Sequence, residues 1–184
     1  MLKAFLNRFL DQFERTWSYD ASYMRLVARV QPKSAVKFFL GAGAADRAAA
    51  PAEAFAAVGV VATLAEDCGP CTQIGVDMAA AAGVDPQVLR AILAGDEAAM
   101  GETAALAWRF AQASLARDLT AADPLRDEVV RRWGEQGLVA LSLALVASRM
   151  YPTLKYALGY GKTCSRVIVA GEPAPVAHPA LLAA

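Results

Sequence analysis

Histidine is almost absent from this chain of 184 residues: His178 stands alone near the C-terminal end. Imidazole chemistry therefore has one candidate, and it lies in a proline-rich stretch. Cysteine is scarce too, at three residues. A closed zinc site needs four ligands, so Cys68 and Cys71, with Cys164 and His178 far along the chain, make half a metal site at most. Basic charge is not in excess, since 18 Lys and Arg balance 18 Asp and Glu; nothing recommends nucleic acid as a partner. No secretory signal pattern opens the sequence. The longest strongly apolar run, Leu138 to Ser148, is too short to span a bilayer. These absences lead to the expectation of a soluble, cytoplasmic protein with no membrane span, in a reducing compartment where paired cysteines are more often catalytic or metal-binding than structural. No internal repeat is evident.

Alanine fills much of what remains. The chain is 57% hydrophobic, and the alanine within that fraction favours helix and lets helices approach closely. The expected fold class is all-α, in a single domain of ample size for a core. Charge is unevenly spread. Residues 1–50 carry eight Lys or Arg against four Asp or Glu, residues 51–128 carry four against twelve, and residues 129–184 carry six against two. Basic ends flanking an acidic middle suit terminal segments that dock on the central helices, in the same subunit or a neighbour.

The chain opens with Leu2, Phe5, Leu6, Phe9, Leu10, Phe13 and Trp17 at helical spacing, a strongly amphipathic helix expected to pack on the domain or a partner subunit. Asp20 is placed to open a second helix that Pro32 ends, and Gly41–Ala50 reads as a linker closing an N-terminal helical arm of residues 1–50. Pro51 then opens the core, residues 51–160, with Phe55, Val58, Val61 and Leu64 turned inward. Gly83 reads as a helix end and Asp85-Pro86 as a start. A long helix is expected over Glu97–Arg117 and another from Asp123-Pro124, with Gly134 and Gly137 bracketing a turn. Leu138–Met150 is apolar on nearly all sides, so the expectation is that it is the most buried helix. From Gly171 onward, three prolines and the lone histidine read as an extended or disordered tail.

Chemistry concentrates at Cys68-Gly69-Pro70-Cys71. Two cysteines at this spacing face each other across one helical turn and are able to close a small disulfide. Pro70 suits the first turn of a helix, where a missing N–H costs nothing. The free N–H groups and dipole of that helix start favour a thiolate. Three readings fit the motif: a working redox pair, a pair retained without turnover, and half of a metal site. Thioredoxins carry the same four residues, but between a strand and a helix and behind an aromatic residue. Here Asp67 precedes the motif and an alanine-rich helix leads into it, with no β-rich run behind it. Glu66 is the candidate for taking or giving a proton, although Glu66 and Asp67 together also oppose a thiolate.

From Pro51 to about Tyr160 the order of elements resembles the carboxymuconolactone decarboxylase-like superfamily, in particular its redox branch of alkyl hydroperoxide reductase D proteins. The resemblance is carried by the helix into Cys68-Gly69-Pro70-Cys71, by Ala82-Gly83-Val84-Asp85 opening a short helix, by Ala105-Leu106-Ala107-Trp108-Arg109-Phe110-Ala111, and by Trp133-Gly134 ahead of an apolar final helix. It implies an all-helical bundle around a buried hydrophobic helix, homo-oligomers, and thiol–disulfide or peroxidase chemistry at the two cysteines. Two positions depart from that branch. Its histidine, four residues after the second cysteine, is replaced by Gly75, and its glutamate, about three turns before the first, falls near Ala56.

A simpler dithiol remains. Disulfide exchange needs a thiolate, an accessible disulfide sulfur and a resolving thiol, not a histidine. The leading expectation is a thiol–disulfide oxidoreductase or peroxidase-like protein with Cys68, Cys71 and Glu66 at its site. It needs no bound cofactor, only an external thiol reductant and a disulfide or peroxide substrate. The alternative is a non-enzymatic helical oligomer whose cysteine pair is vestigial or regulatory. Decarboxylase or lactone chemistry is not recommended, because no cluster of histidine and arginine awaits an acidic substrate. Cys164 is expected to be an unpaired thiol without a catalytic part.

Overall fold

The computed structural model describes residues 1–161 and 166–177. Cys164 and His178 lie outside the described residues, as does the end of the expected tail. Among the described residues the protein is all-α, with eight helical segments and one small hairpin. Three helices form the arm: α1 (Leu2–Trp17), α2 (Ser22–Val30) and α3 (Pro32–Ala42). The core holds α4 (Ala52–Ala65), α5 (Gly69–Ala81), α6 (Pro86–Ala94), α7 (Gly101–Ala116) and α8 (Leu119–Ala157). Prolines mark two starts as expected: Pro51 caps α4 and Pro86 opens α6, where the Asp85 carboxylate accepts from the Gln87 N–H. Pro32, expected to end the second helix, instead opens α3, with one residue between it and the end of α2 at Val30.

The buried helix is α4, not Leu138–Met150. Residues 54–58 and 60–64 of α4 are all buried, because its alanines and valines are small enough for α5, α6, α7 and α8 to close on it. The second half of α8 buries only one stripe, Gly137, Ala140, Leu141, Ala144 and Leu145. Its outer face leaves Val139 and Val146 56% and 60% exposed, with Leu143 between them. By length and composition α8 passes as a membrane-crossing helix, which the run Leu138–Ser148 alone does not. It packs on α4 and α7 through its inner stripe, as a core helix does.

Several boundaries differ from expectation. The helix expected from Asp123 begins earlier, at Leu119, with Asp118 accepting from the Ala121 N–H. It runs through Pro124 and Pro152 and breaks at Gly134, whose φ of 70° and ψ of 177° only glycine adopts readily. Gly137 sits inside the following turns, against Trp133 and the carbonyl oxygen of Ala49. A Cβ there would collide with that of Trp133 and lie 3.1 Å from the Ala49 oxygen. Gly137→Ala is therefore expected to cost about 1–3 kcal/mol, read as a lower urea midpoint with unchanged m-value.

Part of the expected tail is ordered. β1 (Val167–Val169) and β2 (Glu172–Ala174) pair antiparallel, Val169 facing Glu172. The two turn residues, Ala170 and Gly171, have φ of 51° and 81°, the positive values that tight hairpins demand. The hairpin lies on α5 and α6. The Gln73 side chain donates to the Ile168 carbonyl and accepts from its N–H, while Arg90 donates to the carbonyls of Val169 and Pro173.

Two apolar clusters result. One fills the core around α4 and includes Val167 and Val169 of the hairpin. The other joins Leu6, Leu10, Tyr19, Tyr23, Met24 and Ala35 of the arm to Tyr151, Leu154 and Leu158 at the end of α8 and to Ile74 of α5. The charge pattern is used in part. Arg149 and Arg132 of the basic C-terminal third pair with Glu66 and Glu102 of the acidic middle, whereas Arg25 of the arm pairs within the arm, with Asp11 and Glu14.

Candidate functional site: a buried cysteine pair on an apolar cavity

The turn between α4 and α5 holds the cysteines. Asp67 adopts a left-handed backbone (φ 48°), reversing the chain so that Cys68 caps α5 and Cys71 falls in its first turn. Thr72 fastens this start: its hydroxyl lies 3.1 Å from both the Cys68 carbonyl oxygen and the Thr63 hydroxyl, within hydrogen-bond distance of each. The Tyr156 hydroxyl donates to the Asp67 carbonyl at 2.8 Å. Cys68 and Cys71 form a disulfide with Cα atoms 5.2 Å apart, an arrangement compatible with a redox C-x-x-C. Both are buried, at 2% and 5% exposure. No third metal ligand joins them among the described residues.

Glu66 is close in sequence but directed elsewhere. Its carboxylate pairs with Arg149, whose Nε lies at 2.6 Å, and accepts from the Thr153 hydroxyl at 3.4 Å. It thereby ties the end of α4 to α8. Among the described residues no hydrogen bond joins it to either sulfur.

Tyrosines come to the sulfur instead. The Tyr19 hydroxyl lies 3.8 Å from Cys71 Sγ and 3.2 Å from the Tyr23 hydroxyl. A disulfide sulfur carries no proton, so Tyr19 must donate to it, and Tyr23 in turn donates to Tyr19. Lys155, only 4% exposed, lies over both rings, with Nζ 5.2 Å and 5.7 Å from their centroids. Tyr19, Tyr23 and Lys155 were not candidates from the sequence. Tyr19 and Lys155 are remote from Cys71 along the chain, and only the docking of the arm on α8 brings them together.

Burial dominates the titration of these hydroxyls. It raises Tyr19 and Tyr23 above the ordinary tyrosine value and pushes Tyr151 up to about 12. The folded protein therefore holds protons that the unfolded chain releases from about pH 10 upward. By linkage, the stabilisation is complete below about pH 10 and is lost as pH climbs through the raised values. Urea midpoints are expected to be level between about pH 7 and 9 and to fall above about pH 10, less steeply in Tyr151→Phe.

Cys71, Tyr19, Tyr23 and Tyr151 also line a cavity of about 720 Å³ between the arm and the core. Cys68 does not line it. Phe13, Met24, Phe39, Phe55, Ile74 and Met78 are the largest non-tyrosine side chains in its apolar wall. Ala56 and Gly75, the positions where a proton relay was missing, line it as well, and a Cβ on Gly75 would meet nothing within 4 Å. The missing side chains leave space beside the cysteine pair.

No family model, curated protein or solved structure matches the chain.

Proposed function

We propose that the protein is a thiol–disulfide oxidoreductase of the peroxidase type, working in a reducing compartment such as the cytoplasm and akin to the redox branch of the carboxymuconolactone decarboxylase-like superfamily. The observation that carries this reading is a buried disulfide with one sulfur, Cys71, on a cavity wall and within reach of a tyrosine hydroxyl. In the reduced protein Tyr19 is placed to donate to a Cys71 thiolate, which lowers the thiol pKa. The Cys71 thiolate attacks the terminal oxygen of a hydroperoxide. The O–O bond breaks, the terminal OH passes to sulfur to give a sulfenic acid, and the leaving alkoxide takes up from solvent the proton that the Cys71 thiol gave up on ionising and departs as an alcohol. Cys68 then attacks that sulfur, closing the disulfide and releasing water. An external dithiol restores both thiols by two exchange steps and is itself oxidised to a disulfide. Glu66 acts in this scheme by holding the α4–α5 turn on Arg149. The test is turnover: reduced protein, an alkyl hydroperoxide and dithiothreitol should consume peroxide and dithiol one for one. Absence of peroxide-dependent dithiol consumption would remove the reading.

A second reading, assembly of like chains in which the pair is a passenger or a switch, is favoured by the ridge Val139, Leu143 and Val146 at four- and three-residue spacing. Light scattering should then give a mass above that of one chain, reduced to one chain by Val139→Lys with Val146→Lys. A mass that changes with oxidation would favour the switch form.

A further inference from the structure

The cavity is far larger than a dithiol needs. Its 720 Å³ is roughly twenty times the ~30 Å³ share of one water molecule and lies within the ~300–1,000 Å³ of small-molecule sites. Burial orients it. Tyr19, Tyr23, Val60, Thr63 and Cys71 are buried and form its floor, whereas Gly43, Arg47, Met78 and Ala82 are exposed and mark its mouth. Among the described residues lining it, Arg47 alone carries a charge.

Arg47 is placed for an anion. Its guanidinium sits 4.7 Å from the centroid of the Phe55 ring, and among the described residues no carboxylate pairs with it. Packing of part of its side chain against apolar neighbours lowers its pKa, while its exposure at the mouth leaves the guanidinium open to an anionic ligand. One guanidinium at the rim of an otherwise uncharged and largely apolar cavity suits a single negative charge followed by a hydrocarbon chain.

We propose that this cavity binds an apolar-chained monocarboxylate, with its carboxylate on Arg47 at the mouth and its chain running down past Phe55 and Met24 towards Cys71. Joined to the redox reading, on which this step rests, the substrate class is a fatty-acid hydroperoxide, carrying its –OOH on the hydrocarbon chain and reduced at its O–O bond by Cys71 as above. Gly75 and Ala56 serve by leaving room for the chain.

Binding separates the two claims. With the double variant Cys68→Ser, Cys71→Ser, which has no redox chemistry, laurate titrated by calorimetry should bind one per chain, and dodecanol and dodecyltrimethylammonium should bind at least about tenfold more weakly. Arg47→Gln should erase most of the advantage of laurate over dodecanol. Gly75→Leu, whose side chain enters open space, should weaken both ligands by about tenfold or more, with its thermal midpoint checked to confirm folding. No laurate binding, or equal binding of laurate and dodecanol unchanged by Arg47→Gln, would overturn the site. In the enzyme with both cysteines, a fatty-acid hydroperoxide should show a KM about tenfold below that of its methyl ester. Laurate binding without any hydroperoxide reduction would uphold the binding site and remove both the substrate assignment and the redox reading.

Discussion

Cys71→Ser is expected to abolish peroxide-dependent dithiol oxidation, by about three orders of magnitude or to the uncatalysed background, as loss of a nucleophile does. Cys68→Ser should behave differently. Only Cys71 lines the cavity, so the Cys68 variant keeps the attacking thiolate and loses the resolving thiol. It should consume one equivalent of hydroperoxide in a single burst and stop, leaving a sulfenic acid that dimedone traps at Cys71. Both sulfurs are buried, so approach from the cavity is what distinguishes them. A burst in Cys71→Ser and none in Cys68→Ser would exchange the two roles and detach the chemistry from the cavity.

Tyr19→Phe is expected to raise the Cys71 thiol pKa by about one unit. Hydrogen bonds to charged groups contribute roughly 1.5–3 kcal/mol net, and one pKa unit corresponds to about 1.36 kcal/mol. The 3.8 Å separation argues for the lower end. A hydrogen bond to the anion favours the anion, so its removal moves the pKa upward and slows alkylation at neutral pH about tenfold. Iodoacetamide rates across pH in the Cys68→Ser background measure this directly. Tyr23→Phe should shift the profile less, because Tyr23 reaches the sulfur only through Tyr19. Equal profiles for Tyr19→Phe and its parent would leave the tyrosine with a packing role.

The local parts of this site were legible in the sequence. Pro70 on an opening turn placed the cysteines at a helix start, and Pro32, Pro51 and Asp85-Pro86 marked boundaries because proline has few places to go. What escaped depends on contacts between remote segments. Tyr19 and Lys155 belong to no motif in the sequence, yet the fold buries both and sets the Tyr19 hydroxyl 3.8 Å from Cys71 Sγ. α4 and the second half of α8 are both apolar, and only the size of their side chains decides which one four neighbours enclose. The hairpin was signalled by Val167-Ile168-Val169 ahead of Ala170-Gly171, a three-residue signal outweighed by the prolines that follow it. Gly75 and Ala56 read as a missing relay; in three dimensions they are room.

The most direct test of the redox claim is the midpoint potential of the Cys68–Cys71 pair, from thiol trapping across a graded dithiol buffer with Cys71→Ser as control. A reversible two-electron couple between about −180 and −280 mV, the range of thioredoxin, glutaredoxins and protein disulfide isomerase, is the predicted result. A pair that forms no intramolecular disulfide at any potential, or one that stays oxidised far below that window, would contradict it.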